Sequence, residues 1–318
     1  MSPAVRLAIL ALLSVTGAAL AEPIQIDGPQ GPLEADMITV AGARQAVIII
    51  PGSGPTDRDG NAGPSGLNSN TYRQLAENLA ANGFASLRID KRGMYGSRAA
   101  ISDPNKVTIA DYADDVEKWV ARAGRIAPCV WLAGHSEGGL VALVAAKRAP
   151  DHLCGLILMA TPGRPIGQIL VEQLSAAPAN AALIPDITSI VDALETGRRI
   201  APESIAPPLR ALFAAELQPY LIDLFSYDPA AIARSWRGPA LILQGDADVQ
   251  ITPQDADMLQ SALPQAERVI LHGGTHMLKS AIAGQPLATY VNADLPLHSD
   301  LVPAIKRVLD NKPNALRR

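Results

Sequence analysis

The amino-acid sequence predicts an α/β fold, a doubly wound and mostly parallel sheet that carries one helical insertion. Short apolar runs rich in β-branched residues recur along the 318-residue chain, and amphipathic helical patterns lie between them. The runs are apolar on both faces, as strands are in a parallel sheet covered by helices on each side. The alternation is interrupted once, between residues 162 and 238, where prolines are frequent and no strong strand pattern occurs.

Six apolar runs predict the buried strands. They are Ala46–Ile50, Ala85–Ile89, Val130–Ala133, Leu156–Met159, Ala240–Leu243 and Arg268–Leu271. Ahead of them, Ile24–Ile26 and Ala35–Val40 flank a turn rich in Gly and Pro, a pattern typical of an antiparallel hairpin.

Three patterns predict helices between these strands. They are Thr71–Ala81, Asp111–Ala123 and Leu140–Arg148. The interruption contains shorter helical patterns, such as Ile166–Leu174 and Leu209–Leu217. Because a connection of this length is more often a functional lid than a structureless loop, we interpret residues 162–238 as a helical cap or lid. The core is then formed by residues 22–161 and 239–318.

The N-terminus has the three-part pattern of a secretory signal peptide. Arg6 is basic, Leu7–Val15 is apolar, and small residues lead to a cleavage site between Ala21 and Glu22. An uncleaved anchor is the alternative, although the apolar run is short for a bilayer. We expect residues 1–21 to be removed, and the mature protein to be periplasmic or secreted without a stable membrane anchor.

Charge and cysteine content exclude several classes of protein. The formal net charge is −4, which is the opposite of the basic footprint of nucleic-acid-binding proteins. The two cysteines cannot form a disulfide scaffold or a Cys-rich metal cluster. Cys129 and Cys154 each precede an apolar run, so they begin at the same edge of the sheet if those strands are neighbours. In an exported protein they form either a disulfide or two buried thiols.

One motif indicates the chemistry. Residues 134–138 read Gly-His-Ser-Glu-Gly, which matches G-x-S-x-G, with a predicted strand before it and a predicted helix after it. In that context the turn raises the Ser136 hydroxyl above the carboxyl edge of the sheet. A serine hydroxyl needs a base and an oxyanion site to act as a nucleophile. An ordinary glycine-rich turn is the alternative interpretation.

A base and an acid follow the last two predicted strands. Of the five histidines, His276 lies in a flexible Gly-rich loop at the carboxyl edge, and it is the predicted base. His135 lies within the turn and faces away from Ser136, and His152 lies at the opposite edge of the sheet. His272 follows a strand end, where a packing role is expected, and His298 begins the last helix. Asp248 is the predicted acid because its loop can reach His276, and Asp246 is the alternative.

With these motifs the chain resembles an α/β-hydrolase of the carboxylesterase and serine aminopeptidase-like branch, over about residues 46–310. The resemblance rests on PGSGP at 51–55, DKRGMYGS at 90–97, the GHSEGG turn, and the QGDAD and GGTHM loops. It implies Ser136 as nucleophile, His276 as base and Asp248 as its orienting acid. It also implies an oxyanion hole formed by the backbone N–H groups of Glu137 and Ser53.

The resemblance implies a serine hydrolase that cleaves small carboxylic esters. A serine aminopeptidase, a thioesterase or an acyltransferase would use the same three residues, and a non-catalytic binding protein on the same scaffold is a remote alternative. Five aromatic residues of the insertion either line an acyl pocket or pack its helices: Phe213, Tyr220, Phe225, Tyr227 and Trp236. Nucleotide-binding motifs are absent, and the acidic loop at 57–61 lacks the Gly and Glu of a calcium site, so no cofactor or metal is expected.

Overall fold

The computed structural model describes residues 20–311, which contain ten strands and ten α-helices. The strands are β1 (Glu22–Asp27), β2 (Pro32–Ile38), β3 (Gln45–Ile50), β4 (Asn61–Ala62), β5 (Leu67–Asn68), β6 (Ala85–Ile89), β7 (Cys129–His135), β8 (Leu153–Met159), β9 (Ala240–Gly245) and β10 (Glu267–Leu271). The helices are α1 (Thr71–Ala81), α2 (Ile109–Ala123), α3 (Glu137–Ala146), α4 (Ile166–Ser175), α5 (Ile184–Glu195), α6 (Gln218–Phe225), α7 (Pro229–Ala233), α8 (Pro253–Ala262), α9 (Ala288–Val291) and α10 (Leu301–Asp310).

Eight strands form one sheet in the order β1-β2-β6-β3-β7-β8-β9-β10, and β4 pairs with β5 in a separate ribbon. The pairs β1–β2 and β2–β6 are antiparallel, and the other pairs are parallel. The chain passes from β3 to β6 on one side and then to β7 on the other. In open α/β sheets, ligands bind beyond the carboxyl ends of the strands at such a switch point.

Both faces of the sheet are buried, as the apolar runs predict. Ile48 and Ile50 of β3 point into a cluster with α2, α3 and α8, whereas Val47 and Ile49 point into a second cluster with α1 and α10. The two clusters account for the near-continuous apolar character of β3. The predicted α/β class with a mostly parallel sheet is therefore confirmed, and each of the six predicted runs lies within a strand.

The segment between β8 and β9 is helical where it is regular, with α4 to α7 and short 3₁₀ turns. The expected helix at Leu209–Leu217 is wrong, because this stretch is largely turns and the helix begins at Gln218. Pro219 explains the difference, since proline fits the first turn of a helix and α6 starts there. The division of the chain at residues 162 and 238 stays a prediction.

A disulfide joins the amino ends of two neighbouring parallel strands, β7 and β8. Cys129 and Cys154 are its partners, with Cα atoms 5.5 Å apart. The predicted signal peptide lies almost wholly outside the described residues. Within residues 20–311, none of the helices combines the length and the apolar character that crossing a bilayer requires.

Candidate active site

Ser136 occupies a strained turn between β7 and α3. Its backbone has φ 53° and ψ −125°, a conformation that L-residues rarely adopt and that is typical of functional sites. A side chain at Gly138 would lie 2.3 Å from the carbonyl oxygen of Ile50, so only glycine lets α3 pack this close to the end of β3. The Ser136 N–H donates to the carbonyl of Met159 at 2.9 Å, which holds the turn against β8.

His276 and Asp248 form a buried pair beside this turn. The Nδ1 of His276 lies 2.9 Å from Oδ2 of Asp248, and both side chains are almost fully buried. A carboxylate can only accept a hydrogen bond, so Nδ1 carries the proton. In this tautomer Nε2 bears the lone pair that can accept a proton. The N–H groups of Gln250 and Ile251 also donate to Asp248, at 2.8 and 3.1 Å.

The charge state of Asp248 follows from these contacts. Burial by itself would raise the pKa of Asp248, but the charge and hydrogen bond of His276 and the two backbone donors outweigh it. The pKa of Asp248 is therefore held below its usual range. An ionised carboxylate at this position orients the imidazole and supports positive charge on it.

The alternative acid, Asp246, is engaged elsewhere. Its carboxylate accepts from Nδ1 of His272 at 2.9 Å and from the N–H of Gly273 at 2.6 Å. The His272 side chain is 84% exposed, so the packing role expected for it is wrong. The side chain points into solvent because β10 is an edge strand, where a residue beyond the strand end has no neighbour to cover it. Asp246 and His272 thus form a surface pair, and the acid beside His276 is Asp248.

Ser136 and His276 line one cavity of about 370 Å³ at the carboxyl ends of β3 and β7. No hydrogen bond joins Ser136 Oγ to His276 in the described structure, as is common before substrate binds. The cavity is also lined by Gly52 and Ser53 from the loop after β3. Among residues 20–311, the backbone N–H groups of Ser53 and Glu137 make no hydrogen bond to other protein atoms, which is the condition for receiving an oxyanion.

The walls of this cavity come largely from two segments, residues 60–71 after β3 and residues 276–291 after β10, and Tyr72 and Tyr290 are its tyrosines. Apart from Gly60, in the loop that the sequence places at the rim of the site, and His276, the sequence interpretation did not single out the lining residues of these segments. None of the five aromatic residues of the insertion lines the cavity. The described lining residues also include no Asp or Glu. The surface offered to a substrate is therefore neutral, with apolar groups from Leu67, Leu287 and Val291.

His135 is a functional neighbour whose contacts the sequence did not reveal. Its Nε2 lies 2.7 Å from the backbone carbonyl of His276, and its Nδ1 lies 2.8 Å from the Tyr72 hydroxyl. A carbonyl only accepts, so the proton is on Nε2 and the Tyr72 O–H donates to Nδ1. Burial, followed by the charge of His276, lowers the pKa of His135 to about 3. His135 is thus a neutral ring that supports the His276 loop through a hydrogen bond to its backbone. In the sequence, only the position of His135 next to Ser136 indicated such a role.

The acidic loop and the DKRG segment have structural contacts. The Asp57 carboxylate accepts from the N–H groups of Asp59 and Asn61, which closes the loop. Arg58 is bonded by two nitrogens to Asp90, and Arg92 is bonded to Asp111 and Asp115. No group of three or more acidic, Cys or His side chains in the described part of the chain is arranged to hold a metal ion.

Known hydrolases are similar to this chain in sequence. A family model described as serine aminopeptidase, S33, matches residues 65–205. Esterase EstD from Thermotoga maritima is 26% identical over 275 residues, or 85% of this chain, and the chain spans about three fifths (61%) of that relative. The chain is therefore similar to hydrolases of the α/β-hydrolase superfamily.

Solved structures of esterases superpose on the chain over most of its length. Est1E from Butyrivibrio proteoclasticus, solved with ferulic acid, is 18% identical, with a TM-score of 0.56 and coverage of 90% of this chain and 96% of its own. A thermophilic esterase from Thermogutta terrifontis is 19% identical, with a TM-score of 0.56 and coverage of 92% and 98%. At these identities the likeness shows the α/β-hydrolase fold.

Proposed function

We propose that the protein hydrolyses carboxylic esters through an acyl-enzyme on Ser136. The observation that carries the proposal is one arrangement. A serine on a strained turn shares a cavity with a buried histidine, and the Nδ1 of that histidine is bonded to a carboxylate at 2.9 Å. These are the parts that serine acyl transfer needs, and each comes from the loop after a different strand.

The residues divide the reaction between them. His276 Nε2 takes the proton of Ser136 Oγ as Oγ bonds to the carbonyl carbon of the ester, and the N–H groups of Ser53 and Glu137 receive the oxyanion. The bond to the alcohol then breaks, and the alcohol leaves with the proton from His276. Water attacks the acyl-enzyme by the same route, giving the carboxylic acid and free Ser136. Asp248 holds the imidazole in the required tautomer throughout.

The cavity lining favours esters over aminoacyl substrates. A free α-amine is held by a carboxylate in a partly buried site, because an unpaired charge is costly there. No acidic side chain of the described lining offers that contact, and the acidic residues of the insertion lie elsewhere. The apolar groups of Leu67, Leu287 and Val291 instead suit an uncharged acyl or alcohol group. We therefore place the serine aminopeptidase activity second.

A substrate panel tests the proposal. The mature protein is assayed with p-nitrophenyl esters of rising chain length, a matched thioester and aminoacyl p-nitroanilides, alongside Ser136→Ala. Ester turnover above amide turnover, lost in the variant while its circular dichroism is unchanged, is the expected result. Faster turnover of the amides would favour the aminopeptidase, and ester turnover retained by Ser136→Ala would reject the acyl-enzyme.

We also propose that the protein is exported. Two features support this: the signal-like pattern at the N-terminus, and the bond between Cys129 and Cys154, since disulfides persist in oxidising compartments. The first strand begins at Glu22, the residue that cleavage would expose. N-terminal sequencing of protein from fractionated cells should begin at Glu22, and an intact Met1 on cytoplasmic protein would contradict the proposal.

A further inference from the structure

A buried ion pair lies directly behind the strained turn. Lys91 follows β6, and its Nζ lies 2.8 Å from Oε1 of Glu137, the residue after Ser136. The side chains are 2% and 0% exposed, so neither charge is solvated. A buried lysine–glutamate pair adds little net stability compared with apolar side chains of the same size. Its presence at this place therefore calls for a role other than stabilising the core.

Lys91 has a second contact, and it lies in the loop that forms the oxyanion site. Its Nζ donates to the carbonyl oxygen of Gly52 at 2.7 Å. The N–H of the same glycine donates to the Tyr72 hydroxyl at 3.1 Å. Both polar groups of Gly52 are thus held by side chains from other elements. A side chain at Gly52 would come within 3.2 Å of the Ser136 Cβ, so this backbone lies against the nucleophile.

The direction of the Gly52 carbonyl determines the direction of the next N–H. A trans peptide unit is planar, and its C=O and the following N–H point in opposite directions. With the Gly52 carbonyl directed to Lys91, the Ser53 N–H points away from Lys91, and Ser53 lines the cavity beside Ser136. Rotation of this one peptide would put a carbonyl oxygen where the oxyanion must form.

We propose that Lys91 is a positioning residue that holds the Gly52–Ser53 peptide in the orientation that presents the Ser53 N–H to the oxyanion. The inference rests on the proposed ester hydrolysis. Lys91 itself does not line the cavity, so it acts through the backbone and does not touch the substrate.

Three side chains surround the Lys91 Nζ, those of Glu137, Tyr112 and, through Glu137, Tyr220. The Glu137 carboxylate pairs with it, and the Tyr220 hydroxyl donates to the other oxygen of that carboxylate at 2.5 Å. Burial and the charge of Glu137 raise the pKa of Tyr220 well above its usual range, so the hydroxyl remains a donor. The Tyr112 ring lies under Nζ at 4.9 Å. Through Tyr220, helix α6 of the insertion is connected to the oxyanion loop.

The test removes the donor to Gly52 without leaving a buried charge unpaired. Lys91→Met alone would strand the Glu137 carboxylate, so the double variant Lys91→Met/Glu137→Gln, which keeps neither charge, is compared with wild type and with Glu137→Gln. Glu137→Gln keeps the Lys91 donor to Gly52 but removes the counter-charge of Lys91, so circular dichroism is used to check that each variant is folded. With p-nitrophenyl acetate, kcat should be about 100-fold lower in the double variant than in the single, as when one oxyanion donor is lost, with KM nearly unchanged. The inhibition constant of an aryl trifluoromethyl ketone, which forms a tetrahedral adduct on serine, should rise by the same factor.

Arg92→Met is the matched control for loss of a buried cation. Arg92 is the next residue and is bonded to Asp111 and Asp115, without contact to Gly52. This variant should lower the thermal midpoint and leave kcat nearly unchanged. A double variant whose kcat lies within about threefold of Glu137→Gln, or whose ketone affinity is unaltered, overturns the role of Lys91. Failure of wild-type protein to hydrolyse any ester would overturn the proposed function itself.

Discussion

The stability of this protein in acid should depend on His135. The ring is buried with its proton on Nε2, and its pKa is lowered from 6.5 to about 3, chiefly by burial. Unfolded His135 binds a proton below pH 6.5, but the folded protein accepts it only near pH 3. The contribution of His135 is therefore complete above pH 6.5 and is lost as the pH falls towards 3. A pKa shift of this size lowers the free energy of unfolding by about 5 kcal/mol once the pH has fallen to 3, and by about 3 kcal/mol at pH 4.5.

Urea denaturation of wild type and His135→Gln at pH 7 and pH 4.5 measures this effect. The variant should be less stable than wild type at pH 7, because it loses the contacts to Tyr72 and His276. Between pH 7 and pH 4.5, the free energy of unfolding of His135→Gln should fall by about 3 kcal/mol less than that of wild type. His272→Gln is the control, since that ring is exposed, and it should follow wild type. An equal loss in wild type and His135→Gln would refute the assignment of His135 as a buried neutral ring.

Three further predictions concern the acid, the disulfide and the cavity rim. Asp248→Asn should lower kcat by about 10³- to 10⁴-fold with the fold intact, because the imidazole tautomer is lost, whereas Asp246→Asn should keep nearly full activity in the same ester assay. Replacing Cys129 and Cys154 by alanine should lower the free energy of unfolding by about 3 kcal/mol, measured in urea, since the bond closes a 25-residue separation; an unchanged midpoint would show that the bond is not formed. Leu287→Asp should lower kcat/KM for p-nitrophenyl hexanoate about tenfold more than for p-nitrophenyl acetate, because Leu287 is expected to contact the longer acyl group. Equal losses for the two esters would show that the acyl group binds elsewhere.

The parts of the site that depend on local sequence were predictable. The G-x-S-x-G spacing between a strand and a helix placed Ser136, because strain and close packing require glycines at fixed distances from the serine. The choice between Asp246 and Asp248 was harder, since both lie in one loop. It depends on which carboxylate turns inward, and the structure shows Asp246 turned to the exposed His272.

The rest of the site depends on contacts between distant parts of the chain. Lys91 and Glu137 are 46 residues apart, and the DKRG turn gave no sign that its lysine points to the oxyanion loop while the adjacent arginine does not. The cavity walls could not be assigned for the same reason. The five aromatic residues of the insertion could either line an acyl pocket or pack its helices, and the structure places them in or against the hydrophobic core. Of the two segments that line the cavity, residues 60–71 are rich in Gly, Ser and Asn, and residues 276–291 carry no strong helix or strand pattern.

Peptide mapping after labelling with a fluorophosphonate tests the central claim most directly. The mature protein is labelled, digested and analysed by mass spectrometry, with Ser136→Ala treated in parallel. The adduct should be found on Ser136 and should form much more slowly in His276→Ala, since the histidine is the base that activates the hydroxyl. An adduct on another residue, or equal labelling of Ser136→Ala, would contradict the assignment of Ser136 as the nucleophile.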